Sequence, residues 1–303
     1  MKVCAGIILY NPDVERLTRN IEAVKSQVDL LVFVDNASAN INELQRLFSG
    51  GSYVWITNDT NLGVAKALNQ LIDFADKNDY KWILTLDQDS ICADGFVQKL
   101  LAAAVNESDA AGESGTADDI PGSDIKQIAM VGPLVIDRGI ADAEIPDGRP
   151  LPDTEDVRLC ITSGCLTNVK AVIDTGGFNE WLFIDEVDRE ICLRLLLRGY
   201  RLVRVNTVEL LHEYGLKTIT RRILWKKVIY RNYTPVRVYY QTRNLVYMMR
   251  KYGREYTPRL LYRWVRMFIA FSVKFICEPD RVQRLKAFVK GIKAGLSANV
   301  DEV

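Results

Sequence analysis

Two aspartates separated by one residue offer the clearest chemistry in this sequence. Asp87 and Asp89 directly follow the mostly apolar run 82–86, which predicts a buried strand that ends in charge. Carboxylate oxygens suit Mg²⁺ or Mn²⁺, hard cations that keep several waters and bridge to substrate phosphates. The same spacing also fits a solvated turn, in which aspartate side chains accept backbone hydrogen bonds.

The elements that must position these aspartates alternate regularly over the first hundred residues. The predicted strands are 3–10, 30–34, 53–57 and 82–86, and the predicted helices are 14–27, 41–48 and 63–77. This alternation predicts a doubly wound α/β sheet with parallel strands. Polar residues follow the strands at Asn11, 35–38, 58–61 and 87–89, so we expect them at the edge where such sheets bind ligands.

Later segments extend the same α/β pattern. We predict a helix over 93–105, a mobile loop of Ala, Gly, Ser and Asp over 108–123, and short strands at 128–131 and 134–136. A helical pattern over 187–198 ends at Gly199, which predicts a left-handed cap, and 201–205 is a further strand.

A second acidic cluster lies at the start of that last helix. Asp185, Glu186, Asp188 and Glu190 stand where a helix dipole favours negative charge, so a structural account of Asp188 and Glu190 remains open. In the functional account, Asp188 is a general base one turn into the helix. His212, the only histidine, follows the apolar residues 208–211 and is either structural or a further metal ligand.

Composition limits the class of protein. The 303 residues are 48% hydrophobic, which is enough for a sizeable core. Six cysteines form no Cys-x-x-Cys pair, so we expect buried free thiols in a reducing compartment, without a disulfide framework or zinc site. We interpret the apolar run 3–10 as a first strand, not a signal peptide, and expect no transmembrane helix.

The net charge of zero conceals a strong asymmetry. Twenty Lys and Arg residues oppose three acidic ones between Lys217 and Lys293. Such a region attracts nucleic acid or an anionic membrane surface. Within 258–277 the cations fall on one side and apolar residues fill the remainder, as in an interfacial helix; an ordinary packing helix is the alternative. The cations are Arg259, Arg263, Arg266 and Lys274.

An ordered set of short motifs spans about residues 3–215. The motifs are 8–11, 34–38, 61–69, 86–89, 163–168, 176–180, 183–185, 187–188, 192–194, 199–200 and 211–212. A less specific segment follows at Tyr239-Tyr240 with Arg243-Asn244. In order and spacing the set resembles the family 2 glycosyltransferases of GT-A fold, especially bacterial rhamnosyltransferases, although Glu186 and the insertion at 108–123 depart from the family pattern.

The resemblance implies a role for each matching residue. Asp35 contacts the nucleotide base, and Tyr10, Asn11 and Asn61 line the same pocket with Asp87. Asp87 and Asp89 are the DxD pair that holds Mg²⁺ or Mn²⁺, with His212 as a further candidate ligand. The acceptor and base positions are Ser163, Gly164 and Asp185 for acceptor binding and Asp188 for the base.

The resemblance further implies a GT-A domain over residues 1–215 and a basic, amphipathic helical region over 216–303. It implies an inverting, metal-dependent transferase that moves L-rhamnose from dTDP-L-rhamnose to a surface-polysaccharide or lipid-linked glycan acceptor. UDP-hexose or galactofuranose transfer is the alternative of the same fold. We expect a cytoplasmic protein, peripheral on the inner membrane, that forms oligomers or acts alone and does not bind nucleic acid.

Two other classes of function compete with this interpretation. A nucleotidyltransferase usually places a glycine-rich, basic phosphate loop after the first strand, whereas this chain has Tyr10-Asn11-Pro12-Asp13 there. A non-enzymatic protein would use the basic C-terminal region to bind membranes or nucleic acid.

Overall fold

The computed structural model describes residues 1–51, 53–109, 127–137, 151–212, 218–223, 226–231, 234–277 and 280–300. The chain divides into two compact units. The first comprises Met1–Glu180 and Asp188–Glu213, and the second comprises Trp181–Val187 and Tyr214–Val303. The domain boundary predicted at residue 215 stays a prediction.

The first unit is built on one mixed sheet, in which nine strands pair among the described residues. Its first half is parallel in the order β3-β2-β1-β4. Next to β4, β8 is antiparallel, and β6, β9 and β5 follow it. The strands are β1 (Val3–Leu9), β2 (Leu30–Asp35), β3 (Tyr53–Thr57), β4 (Trp82–Asp87), β5 (Ile91–Cys92), β6 (Ile128–Asp137), β7 (Thr154–Asp156), β8 (Cys165–Asn168) and β9 (Arg201–His212).

Helices connect these strands, and the predicted α/β class with a mostly parallel central sheet is confirmed. Continuous apolar runs form β1, β2 and β4 because strands in the middle of such a sheet are buried on both faces. The helices are α1 (Val14–Val24), α2 (Ile41–Leu47), α3 (Val64–Lys77), α4 (Phe96–Asp109), α5 (Val169–Asp174) and α6 (Val187–Leu197).

Several elements differ from their predictions. Residues 128–137 form a single strand, β6, whose register shifts between Pro133 and Leu134, so a bulge stands where we predicted a gap between two strands. The strands β5, β7 and β8 are only two to four residues long and carry no readable period. Gly199 has a φ of 86°, which confirms the left-handed cap. The loop predicted over 108–123 lies outside the described residues except for the end of α4.

Five of the six cysteines are described, and all five are buried free thiols, as predicted. Burial raises the pKa of Cys4 and of Cys92 to about 12, so neither thiol is a nucleophile at neutral pH. The side chain of Cys277 lies outside the described residues.

The second unit combines a hairpin with two helices. Strands β10 (Thr218–Ile223) and β11 (Lys226–Arg231) pair antiparallel, and α7 (Pro235–Cys277) and α8 (Arg281–Ser297) follow. The region predicted to be helical over 216–303 thus contains two long helices, and the hairpin before them is an addition that the cationic composition did not indicate. No helix in the described part of the chain carries an apolar stretch long enough to cross a bilayer.

The interfacial helix predicted over 258–277 is the second half of α7. Of its four cations, only Arg263 has a described side chain, and it makes a bidentate ion pair with Glu186 within the second unit. Arg263 is therefore engaged within the second unit, and the interfacial-helix interpretation of 258–277 stays a prediction. The side chains of Arg259, Arg266 and Lys274 lie outside the described residues.

Candidate active site

The parallel strands bring the predicted polar loops to one edge of the sheet. Leu9 of β1 pairs with Asp35 of β2, and Ile8 pairs with Asp87 of β4. Asp35 also pairs with Thr57, so the loop after β3 begins at the same level. The carboxyl ends of four neighbouring strands thus form one site, as the alternation of elements predicted.

Asp35 is a buried carboxylate with one engaged oxygen. Its Oδ2 accepts a hydrogen bond from the Ser38 amide at 2.9 Å. Its Oδ1 is buried and has no hydrogen-bond partner among the described residues, although the whole side chain is only 1% exposed. A buried acceptor of this kind is costly unless a donor completes it, so Oδ1 is chemically suited to accept an N–H group.

Tyr10 and Asn11 serve the site through different atoms. The Gln88 side chain accepts from the Tyr10 amide at 2.9 Å and donates to its carbonyl at 3.4 Å, which ties the ends of β1 and β4 together. The Tyr10 ring is exposed. Asn11 has a left-handed φ of 46°, and its Oδ1 accepts from the Ala39 amide at 2.8 Å. The Asn11 side chain therefore joins two loops of the site.

Asn61 shapes the start of α3. Its Oδ1 accepts from the Gly63 amide at 2.9 Å, and Gly63 has a φ of 86°. The Gly63 carbonyl accepts in turn from Asn36 at 3.2 Å, and Asn36 accepts from Asn58 at 3.0 Å. This amide network fixes the loops after β2 and β3 relative to each other.

Two side chains hold the backbone of Asp87. Its amide donates to Ser163 Oγ at 3.0 Å, and its carbonyl accepts from Asn20 Nδ2 at 2.6 Å. The Ser163 and Ser90 hydroxyls are hydrogen-bonded at 2.6 Å. The turn that carries Asp87 and Asp89 is therefore a fixed platform, not a loosely solvated loop.

The carboxylate oxygens on this platform are suitable ligands for a hard divalent cation. Asp87 and Asp89 are both partly exposed carboxylates at the strand end. The described side chains include no group of three His, Cys, Asp or Glu residues that could hold a metal alone. Two carboxylates suit Mg²⁺ or Mn²⁺ shared with a diphosphate, since these ions keep several non-protein ligands.

His212 is the last residue of β9, and its side chain lies outside the described residues. Its backbone lies near the platform because Ile91 pairs antiparallel with Leu211. The next step of that register places His212 opposite Ser90, one residue after Asp89. The backbone position is thus compatible with the predicted metal-ligand role.

Asp188 is partly buried in the first turn of α6. Its Oδ1 accepts from Thr162 Oγ1 at 3.0 Å. Burial, followed by repulsion from Asp87, raises the pKa of Asp188 to about 6. A carboxylate with such a pKa is ionised at neutral pH and still basic enough to accept a proton.

Glu190 has a different environment from Asp188. It is fully buried and pairs with Arg194 at 2.6 Å. Arg194 also donates to the carbonyls of Thr175 and Gly177 at 2.8 and 2.7 Å. The structural account of the acidic cluster therefore holds for Glu190, whereas Asp188 is close enough to Asp87 for the two charges to repel.

The segment 162–164 anchors itself on β4. Gly164 donates to the Thr85 carbonyl at 2.7 Å and has a φ of 73°. A Cβ at Gly164 would lie 2.7 Å from Leu210 Cδ2, so any side chain there would require Leu210 to move. Ser163 is buried and directs its hydroxyl to the Asp87 turn. The segment thereby holds both Asp87 and, through Thr162, Asp188.

In the second unit, Asp185 lies in a segment of unusual backbone. Phe183, Asp185 and Glu186 have φ angles of 61°, 63° and 65°, a region disfavoured for residues other than glycine. Asp185 pairs with Arg237 at 3.2 Å. Burial raises the pKa of Asp185, and Arg237 opposes that shift.

Side chains of helix α7 hold this segment by donating hydrogen bonds to its backbone carbonyl groups. The Asn244 amide is fully buried and donates to the carbonyls of Leu182, Ile184 and Asp185, each at 2.8 Å. Arg243 donates to the Leu182 carbonyl at 2.9 Å, and its guanidinium lies 3.9 Å from the centre of the Trp181 ring. The Arg243-Asn244 pair is therefore a clamp on residues 181–185.

Sequence reasoning missed three residues that position the site, namely Asn20, Gln88 and Thr162. Asn20 left a signal, because it interrupts the apolar stripe of α1 formed by Leu17, Ile21 and Val24. A buried amide on such a face needs a specific partner, which here is the Asp87 carbonyl. Gln88 and Thr162 had no readable signal, since their partners lie far away in sequence.

Comparison with known proteins finds sequence similarity to glycosyltransferases. Residues 4–139 match the sequence model of the glycosyl transferase family 2. A dTDP-rhamnosyl transferase of Shigella flexneri, RfbF, is 27% identical over 278 residues, which cover 86% of this chain and 82% of that protein.

Solved structures share the fold at low identity. GalNAc-T7, crystallised with UDP, GalNAc and Mn²⁺, superposes with a TM-score of 0.59 and 14% identity over 98% of this chain and 56% of its own. TarS of S. aureus superposes with a TM-score of 0.55 and 15% identity over 97% of this chain and 49% of its own. The chain thus spans about half the length of these two proteins. TarS 1–349 with UDP-GlcNAc gives a TM-score of 0.55 and 14% identity over 97% of this chain and 81% of that one.

Proposed function

Because the chain is a glycosyltransferase whose residues 4–139 match family 2, we propose an inverting, divalent-cation-dependent transfer of L-rhamnose from dTDP-L-rhamnose. The acceptor is a hydroxyl of a bacterial surface polysaccharide or lipid-linked glycan. The observation that carries this proposal is the environment of Asp188. Its carboxylate has a pKa of about 6 and feels the charge of Asp87 at the donor end of the sheet.

The donor's nucleotide occupies the edge formed by the first four strands. Asp35 Oδ1 accepts the N3–H of the pyrimidine, which supplies the missing partner of that buried oxygen. Tyr10 presents its exposed ring to the base, and Asn11 and Asn61 hold the surrounding loops in place. Asp87 closes the pocket at the diphosphate.

Asp87 and Asp89 hold Mg²⁺ or Mn²⁺, with His212 as a further ligand. GalNAc-T7, which shares the fold, was crystallised with UDP and Mn²⁺, and this supports the choice of cation. When bound, such a cation stabilises the negative charge that develops on the departing diphosphate. Asn20 and Ser163 fix the Asp87 backbone so that both carboxylates keep one geometry.

Asp188 removes the proton from the acceptor hydroxyl while that oxygen attacks the anomeric carbon from the face opposite the diphosphate. A single displacement inverts the anomeric configuration. The Thr162 hydroxyl orients the carboxylate by donating to Oδ1. Ser163 and Gly164 shape the acceptor side through their buried contacts. The predicted role of Asp185 in acceptor binding stays a prediction.

The donor sugar has one alternative with support of its own. Uracil and thymine present the same N3–H to Asp35, and TarS was crystallised with UDP-GlcNAc, so transfer from a UDP-hexose or UDP-galactofuranose is the second candidate. The identity to RfbF over most of both chains favours dTDP-rhamnose. A lipid-linked acceptor would place the enzyme at the cytoplasmic face of the inner membrane.

Donor titrations test this proposal. Isothermal titration with dTDP-L-rhamnose, UDP-glucose, UDP-GlcNAc and UDP-galactofuranose, each with Mn²⁺ or with EDTA, should give the tightest binding for dTDP-L-rhamnose with Mn²⁺. Asp89→Ala should abolish the dependence on Mn²⁺, whereas Asp94→Ala, an exposed aspartate outside the platform, should retain it. Failure of all four donors to bind would reject the transferase site, and equal affinities with and without Mn²⁺ would reject the metal role.

A further inference from the structure

Helix α8 is cationic throughout. Five Lys or Arg residues and no Asp or Glu lie between Arg281 and Ser297. The resemblance of residues 3–215 to glycosyltransferases gives this helix no role, and none of the site residues lies on it.

One face of α8 is fixed against α7. A Cβ at Gly291 would lie 2.7 Å from the Tyr239 carbonyl, and one at Gly295 would lie 2.6 Å from the Arg243 carbonyl. Only glycine permits so close an approach of two helix backbones. Arg250 of α7 also donates to the carbonyls of Gly295 and Ala298 at 3.0 and 2.6 Å. The outward face of α8 is therefore defined and cannot rotate inward.

That outward face carries an apolar stripe. Its four members are between 42% and 64% exposed and lie within a sector of about 60° at 3.6 residues per turn. Helix α7 of the same unit carries further exposed apolar side chains, among them Leu261, Val265 and Ile269. The members of the α8 stripe are Val282, Leu285, Val289 and Leu296.

Two exposed lysines border the stripe. Lys286 and Lys293 occupy the adjacent sector of the helix surface. Lys290 lies farther round, with its ammonium 5.5 Å from the centre of the Tyr239 ring. An apolar stripe bordered by lysines, without any acidic residue on the helix, is the pattern of a helix that lies in a lipid headgroup layer.

We infer that α8 binds anionic membranes, with the stripe in the acyl boundary and Lys286 and Lys293 at lipid phosphates. A second copy of the chain fits less well, because pairing two such faces about a two-fold axis would oppose lysines that no acid on α8 could neutralise. This inference rests on the proposed function, because membrane binding would bring the transferase to a lipid-linked acceptor.

Vesicle co-sedimentation without any donor tests this inference. The full chain should bind phosphatidylcholine vesicles that contain phosphatidylglycerol and leave pure phosphatidylcholine vesicles unbound. Lys286→Glu/Lys293→Glu and Val289→Glu should each weaken binding at least about tenfold. The matched controls Lys2→Glu/Lys99→Glu and Leu47→Glu alter exposed residues of the first unit and should bind as the wild type does.

Three outcomes would overturn the inference. They are equal binding to both vesicle types, unchanged binding by both α8 variants, and a dimer in sedimentation velocity that Val289→Glu dissociates. The last outcome would identify the stripe as a self-association surface. Donor titration of the same variants separates the two proposals, because it should be normal whether or not the vesicles bind.

Discussion

At the scale of single residues, the candidate site contains two carboxylates that differ in hydrogen bonding and in nearby charge. Asp35 is buried with one oxygen lacking a partner among the described residues, which suits a ligand donor. Asp188 is held by Thr162 and repelled by Asp87, which suits proton transfer. We therefore propose recognition for Asp35 and catalysis for Asp188, because the surroundings of the two carboxyl groups differ.

The raised pKa of Asp188 predicts the pH dependence of transfer. The base must be ionised, so kcat/KM should fall as pH decreases through about 6, about two pH units above the ordinary aspartate value of 3.8. Neutralisation of Asp87 by a bound cation would remove one cause of the shift and move this limb to lower pH. Initial rates between pH 4.5 and 8.5 at fixed donor and cation concentrations measure this dependence. Thr162→Val removes a hydrogen bond that lowers the pKa of Asp188, so it should move the acid limb to higher pH. A limb centred above pH 7.5, or a flat profile, would contradict the role of Asp188.

At the scale of elements, the strand order explains how distant residues form one site. Four parallel strands end at one edge, and the hydrogen bonds of Gln88 and Asn11 tie their loops together. In the second unit, the Arg243-Asn244 clamp of α7 donates hydrogen bonds to the carbonyls of a segment that contains left-handed residues. Strained backbone of this kind persists only where the surroundings hold it.

Replacement of Asn244 should release that segment. Asn244→Leu leaves the buried carbonyls of Leu182, Ile184 and Asp185 without their amide donor, so we expect a loss of about 1–3 kcal/mol in the free energy of unfolding. Hydrogen exchange of the amides in 181–187 should quicken relative to the wild type.

The exposed residue Asn42 on α2 provides the control, and Asn42→Leu should leave exchange in 181–187 unchanged. Wild-type exchange rates in Asn244→Leu would show that the clamp does not hold the segment.

At the scale of the whole molecule, most elements of the first unit could be predicted from the sequence, and few details of the second unit could. The long apolar runs and helical periods of residues 3–87 follow from local patterns, and so does the convergence of Asn11, Asp35 and Asp87 at one edge. The short antiparallel strands depend on pairing with distant partners, which no local period records. The clamp of Asn244 and the ion pair of Arg263 with Glu186 likewise join residues about sixty and seventy-seven positions apart.

Charge shows the same limit. The excess of cations after residue 217 was plain in the sequence, yet composition could not tell a cation engaged within the protein from one facing solvent. Arg263 proved to be engaged, while Lys286 and Lys293 of α8 remain at the surface beside apolar side chains.

The most direct test of the account is the turnover of Asp188→Asn measured beside its affinity for donor. The amide keeps the size of the side chain but cannot accept the proton, so kcat should fall by about 10²–10⁴-fold while the Kd for the nucleotide sugar and Mn²⁺ changes little. The variant should also melt at a higher temperature than the wild type at pH 7.5. The raised pKa makes the ionised Asp188 costly to the folded state above pH 6, and this cost disappears below pH 4. A normal rate of transfer, or a loss of rate matched by an equal loss of donor affinity, would contradict the assignment of Asp188 as the base.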